Sequence, residues 1–155
     1  MAHAQGQGLV TSCQTQDSFT VPFSRLAYAV RRQLCVPDVI IDFLHEDEKL
    51  FVVIENIGEG PAHRVSASFD PELWGVRGTV QVSNLPLFKH LSFLAPGKKL
   101  RTFLDVSSAY FNRDEPTLID VTVRFEDDTG TDFKRSLTHN LSVYQATGPP
   151  YQNSA

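Results

Sequence analysis

The sequence predicts an all-β chain, an immunoglobulin-like antiparallel β-sandwich of about seven strands preceded by one short N-terminal α-helix. Three observations carry that prediction. From Pro37 onward the apolar residues recur with a period of two, the spacing of half-buried strands. The runs are separated by turn residues such as Pro96-Gly97 and Asp127-Asp128-Thr129-Gly130, with no alternating helical segments between them. Ahead of Pro37 the apolar period is that of a helix.

Met1 to Gln16 is rich in Gly, Gln, Ser and Thr and offers little to bury, so residues 1–20 read as disordered. Over 21–35, Phe23, Leu26, Ala27, Val30 and Leu34 fall on one helical face. Thr20 suits the cap and Pro22 the first turn, while Pro37 ends the helix by disfavouring helical backbone at Val36. The expected role of this amphipathic helix is to pack its stripe onto the domain. The alternatives are a membrane-surface anchor or a partner-binding helix.

Residues 36–145 make the sandwich. Val39 to Leu44 is a β-rich run, and Glu46-Asp47-Glu48-Lys49 makes a turn. Leu50 to Asn56 is almost continuously apolar, as a strand inside a sandwich would be. Val65, Ala67 and Phe69 alternate with polar residues. A short strand near Thr79–Ser83 and a longer one over Lys98–Val106 follow. Ile119, Val121, Val123 and Phe125 alternate cleanly against Asp120, Thr122, Arg124 and Glu126. The last strand places Phe133, Leu137, Leu141 and Val143 on one face. Residues 146–155, with Gly148-Pro149-Pro150, read as a flexible tail.

At 155 residues the chain is one domain's worth of polypeptide, and 41% hydrophobic content is enough to bury a core. Its 14 basic and 18 acidic residues leave a net charge of −4, which argues against a nucleic-acid partner. The charge is uneven. Residues 1–35 hold Arg25, Arg31 and Arg32 against Asp17, net +2, while the remaining 11 basic and 17 acidic residues leave net −6. No apolar run approaches the ~18 residues that span a membrane. Met1 is followed by Ala-His-Ala-Gln-Gly rather than a basic and then apolar leader, so the expected location is cytoplasmic, with the cytoplasmic face of the membrane as alternative. In that compartment Cys13 and Cys35 read as reduced thiols.

Chemistry-bearing patterns are scarce. The chain lacks G-x-S-x-G, H-E-x-x-H, C-x-x-C and a glycine-rich phosphate loop, and His3, His45, His63, His90 and His139 are not spaced as metal pairs. No catalytic residue, no cofactor and no enzymatic activity are expected. Asp127, Asp128 and Asp132 are the one metal candidate, for calcium. They lack the ligand spacing of a calcium loop, and a hairpin turn has the same composition for conformational reasons.

Two stretches resemble a known family. Val53-Ile-Glu-Asn-Ile-Gly-Glu-Gly-Pro-Ala-His-Arg-Val65 resembles the V-x-N-x-G-x-x-x-A-x-x-V motif of bacterial immunoglobulin-like domains of the CARDB type, and Leu94-Ala-Pro-Gly97 resembles that family's L-x-P-G turn. The block Leu85 to Gly97 is similar to small uncharacterised bacterial proteins in which a membrane helix and a charged linker precede one such domain. The resemblance implies the sandwich fold over about 36–145 and no particular chemistry, because the matching positions are turns and core.

The expected function is therefore a non-catalytic protein-interaction module, a scaffold or adaptor with an unidentified protein partner. Trp74, in the connection 70–98, and Tyr110, Phe111 and Arg113, in the loop 107–117, are the candidate partner-binding residues, since Trp, Tyr and Arg most often anchor interfaces. Phe88 and Phe93 are expected to fold back into the core. Strand addition at a sheet edge is a second route to a partner. The other readings are a carbohydrate- or calcium-binding surface module, or a peripheral membrane protein held by the 21–35 helix.

Overall fold

The computed structural model describes residues 35–147. The helix expected over 21–35, the segment 1–20 and the tail from 148 fall outside them, apart from Cys35 itself. The described residues form nine strands: β1 Val39–Glu46, β2 Lys49–Asn56, β3 Ala62–Asp70, β4 Trp74–Gly75, β5 Val80–Gln81, β6 Leu91–Leu94, β7 Lys99–Val106, β8 Leu118–Glu126 and β9 Asp132–Asn140. All pairings are antiparallel. One sheet has the order β1-β2-β7, the second β6-β3-β8-β9, and β4 pairs with β5 as a small separate hairpin.

The alternation read from the sequence is what lets two sheets share one core. Leu50, Val52 and Ile54 of β2 join Val39, Ile41 and Phe43 of β1 in a cluster with Val65, Ala67 and Phe69 of β3 and Ile119, Val121, Val123 and Phe125 of β8. The strands β1 and β2 are joined by Asp47-Glu48, whose φ angles of 47° and 61° give the turn the twist a two-residue hairpin needs. The sheets are also tied along the β1 and β9 side. Tyr144 Oη donates to the Phe43 carbonyl at 2.7 Å, His139 packs edge-on against Phe43, and Arg135 pairs with Asp38.

The Asn56 motif has a specific job. Its side chain is buried and makes four hydrogen bonds, accepting from the amides of Asp38 and Gly58 (3.1 Å each) and donating to the carbonyls of Gly60 (2.8 Å) and Leu94 (3.1 Å). One amide thus fastens the entry to β1, the β2–β3 loop and the end of β6. Neither Gly58 nor Gly60 has left-handed backbone. A Cβ on Gly58 would lie 2.4 Å from the Val36 carbonyl oxygen, and one on Gly60 2.0 Å from that of Cys35. Close passage of residues 35–37 is the constraint. Gly97, at φ +67°, does serve the tight turn expected of Pro96-Gly97.

Three expectations need correction. The last strand, expected to carry Phe133, Leu137, Leu141 and Val143 on one face, ends at Asn140, and Leu141–Thr147 form a 3-10 helix that buries Leu141 and exposes Val143. In the connection 70–98 the expected short strand is present as β5, joined by β4, a one-turn helix at Pro86–Lys89 and β6. Phe88 is buried as expected, but Phe93 is 51% exposed and lies against the His63 ring, because β6 turns it outward. Cys35 is disulfide-bonded rather than a free thiol.

Candidate functional site

The four residues singled out for partner binding gather at one end of the sandwich, around a carboxylate that periodicity did not flag. Pairing between β2 and β7 steps from Phe51–Phe103 to Leu50–Asp105. The bulge at Leu104 therefore turns Asp105 to the same side as Leu50, into the core. Asp105 is 1% exposed. Its Oδ2 accepts from the Arg77 amide (2.9 Å) and Arg113 Nη2 (2.7 Å), and its Oδ1 from the Val106 amide (2.8 Å). Arg113 Nε also donates to Glu115 Oε1 at 3.1 Å. A buried charge is tolerated only when paired and hydrogen-bonded in this way.

This carboxylate fixes the β4–β5 hairpin. Between Gly75 and Thr79 the chain turns through Val76, Arg77 and Gly78 at φ 50°, 58° and 76°. Left-handed backbone is unfavourable at a β-branched residue such as Val76. What holds it is external: the Val76 amide donates to the Leu104 carbonyl at 2.8 Å, the Arg77 amide to Asp105, and Thr79 Oγ1 to the Val76 carbonyl at 2.7 Å. Gly75 packs so closely on β7 that a Cβ would lie 2.1 Å from the Leu104 carbonyl oxygen. The hairpin is thereby clamped on the outer edge of β7, and it presents Trp74 and Val76, each 40% exposed, together with an exposed Arg77.

The other candidates lie beneath that surface. After β7 the short helix Ser107–Phe111 carries Tyr110 into the core, where its hydroxyl donates to the Pro116 carbonyl at 2.7 Å. Burial pushes the Tyr110 phenol well up, nearby Glu115 and Asp105 add to that, and Arg113 opposes it. Phe111 is half-buried and meets the Tyr110 ring edge-on at 5.5 Å. Only Trp74 of the four is broadly open to a partner. Arg113, through Asp105, helps to hold the hairpin on which Trp74 sits, and Tyr110 ties the following helix to Pro116. Val76, Arg77 and Asp105 were missed; the one signal for Asp105 was an acid within the apolar run Phe103-Leu104-Asp105-Val106.

At the opposite end, the β8–β9 turn uses its acids internally. Asp127 Oδ1 accepts from the Thr129 amide (2.8 Å), Thr129 Oγ1 (2.6 Å) and the Thr131 amide (2.9 Å). Burial raises the Asp127 carboxyl, but the hydrogen bonds from Thr129 and Thr131 outweigh it and hold it below the ordinary aspartate value. Asp128 Oδ1 faces His63 Nε2 at 2.8 Å, and Asp132 begins β9. Among the described residues no three His, Cys, Asp or Glu side chains are arranged to hold a metal ion. His45 and His139 lie near Tyr144 and Phe43, while His63 sits beside Phe93, so the three are not assembled into one site.

Residues 9–145 match the family model Domain of unknown function (DUF8453), and the chain belongs to that family. No curated protein and no solved structure matches the chain.

Proposed function

Starting from a chain that belongs to the DUF8453 family, we propose a non-catalytic protein-interaction module, a scaffold or adaptor whose partner is another protein. Its architecture on this reading is an immunoglobulin-like sandwich of the CARDB type. The three-plus-four strand order supports it, as do the Asn56 plug and the Pro96-Gly97 turn that the resembling motifs contain.

The observation that carries the functional reading is the exposed Trp74 on a hairpin whose backbone is fixed by a buried carboxylate. Tryptophan and arginine anchor interfaces far more often than their abundance predicts. Holding them rigidly before contact removes part of the ordering cost of binding, about 0.5–1.5 kcal/mol for each side chain immobilised. Trp74, Val76 and Arg77 form the contact, and Tyr110, Phe111 and Arg113 are the frame behind it. The disulfide at Cys35 supports residence in an oxidising compartment rather than the cytoplasm.

Full-length protein, Trp74→Ala and Arg77→Glu used in parallel as bait against lysate of the source organism test this. The expected result is a saturable protein retained by the parent and reduced at least about tenfold by each variant, a loss of roughly 1.4 kcal/mol or more, with thermal unfolding unchanged. Equal retention by all three would remove the hairpin from the binding surface.

A further inference from the structure

We propose that the groove between β3 and β6 binds the phosphate group of a small phosphate monoester, through Arg64, Lys89, His90 and the hydroxyls of Ser66 and Ser92. The groove is open and measures about 380 Å³, within the roughly 300–1,000 Å³ of small-molecule sites. Those five side chains line it together with the half-buried Leu91, and no acid does. Residues 36–155 carry 17 acidic against 11 basic groups, so a groove walled only by cations and hydroxyls departs from its surroundings.

Its walls follow from two local irregularities. Pairing of β3 with β8 steps from His63–Glu126 to Ser66–Arg124, so three steps along β3 match two along β8. This bulge holds Arg64 at φ 47°, a left-handed backbone that a non-glycine residue rarely adopts and that clusters at binding sites. On the other side, the one-turn helix Pro86–Lys89 ends at His90, whose amide donates to the Pro86 carbonyl at 2.9 Å. Lys89 and His90 are thereby fixed at the rim, just before β6 begins at Leu91.

The donors are uncommitted. Lys89 is half-buried, and neither it nor His90, Ser66 or Ser92 has a side-chain hydrogen bond or ion pair among the described residues. Arg64 pairs with Glu126 through Nη2, which leaves Nε and Nη1 for another acceptor. Beyond Ser66 the positive charge continues across the sheet. Arg124 stands opposite Ser66 and Lys134 opposite Arg124, both without an ion pair among the described residues. Like charges directly opposite on neighbouring strands destabilise a sheet, and an anion held at Ser66, one strand away, relieves that repulsion. A planar carboxylate matches a single guanidinium fork, whereas a phosphate dianion offers three oxygens to donors converging from several elements. Leu91 gives the organic body of the ester an apolar surface. The groove belongs to the sheet that does not contain β7, so this inference does not rest on the Trp74 hairpin.

The test is titration of isotope-labelled full-length protein, at fixed ionic strength, with inorganic phosphate, phenyl phosphate and benzoate, followed by amide chemical shifts. Saturable shifts at Ser66, Lys89, His90 and Ser92 are expected with both phosphates, tighter for the phenyl ester. Benzoate is expected to bind at least about tenfold more weakly than phenyl phosphate. Lys89→Glu and, independently, Ser92→Glu should each weaken phenyl phosphate at least about tenfold with thermal unfolding unchanged. Lys98→Glu, in the exposed β6–β7 turn, makes the same change of charge as Lys89→Glu and should have no effect. Shifts that do not saturate, or that spread alike over the exposed lysines and arginines, would show ionic screening alone and overturn the proposal. So would inorganic phosphate or benzoate binding as tightly as phenyl phosphate, or either folded groove variant keeping the parent affinity.

Discussion

Asp105 and Arg113 meet at 2.7 Å, the carboxylate closed to solvent and the guanidinium side chain 26% exposed, and their pairing fixes a hairpin that belongs to neither residue's own element. The acid sits at the end of β7 and the arginine after the following helix, yet the backbone they hold is at Arg77. Removing the arginine leaves the Asp105 charge in a place where water cannot replace it.

Asp105→Ala is therefore expected to destabilise the protein by about 3–5 kcal/mol, the range for breaking a buried ion pair from one side. Arg113→Ala should be milder, because Asp105 keeps two backbone donors. Urea unfolding of both single variants and the double variant measures the coupling, expected at about 0.5–3 kcal/mol. Emission from Trp74, the chain's single tryptophan, reports release of the hairpin.

Asn56→Asp tests the plug more sharply than truncation. The oxygen facing Asp38 and Gly58 is preserved, but the two donors to Gly60 and Leu94 become acceptors facing carbonyls. Each orphaned buried group costs about 1–3 kcal/mol, so a loss of at least about 2 kcal/mol at neutral pH is expected in a denaturation curve.

Acid sensitivity follows from Asp127. Its folded-state carboxyl lies below the ordinary aspartate value of 3.8, so the turn's contribution is complete above that pH and is lost as pH falls through the lowered value. Stability measured between neutral pH and values below 3.8 should decline less steeply in Asp127→Asn, which keeps the acceptor without the charge.

Alkaline sensitivity follows from Tyr110. Its phenol is raised above 10.0 by burial first and then by neighbouring carboxylates, so its contribution is intact below pH 10.0 and is lost as pH rises through the raised value. Tyr110→Phe is expected to cost about 1–2 kcal/mol at neutral pH, through the unpartnered Pro116 carbonyl, and to flatten the alkaline limb. Phenolate absorbance followed with unfolding checks both.

The strand β2 was legible from its almost continuous apolar run. Period-two alternation made β3, β8 and most of β9 legible, because a strand packed on one face writes that face into every second residue. The same logic missed β6 and misplaced Phe93. Four residues are too few to establish a period, and Phe93 follows an apolar block that otherwise packs inward. Trp74 was legible by residue type alone. Asp105 was not, since a bulge shifts the alternation by one and only the pairing of Leu50 with Asp105 reveals it. Val76 and Arg77 had no local signal beyond Gly78, because their backbone is held by contacts from β7 and Asp105.

The distribution of turns has a kinetic consequence. The β1–β2 and β8–β9 pairs are each closed by a short local turn, and hairpins of that kind form in about 1–10 μs. Phe69 of β3, by contrast, faces Val121 of β8, and Leu50 of β2 faces Asp105 of β7, so neither contact can form until the chain between has been gathered. Domains dominated by such distant pairings fold in milliseconds to seconds. The rate is then set by the meeting of two early hairpins across residues 57–117. Asn56, whose partners are spread over residues 38, 58, 60 and 94, completes its bonds only after that meeting.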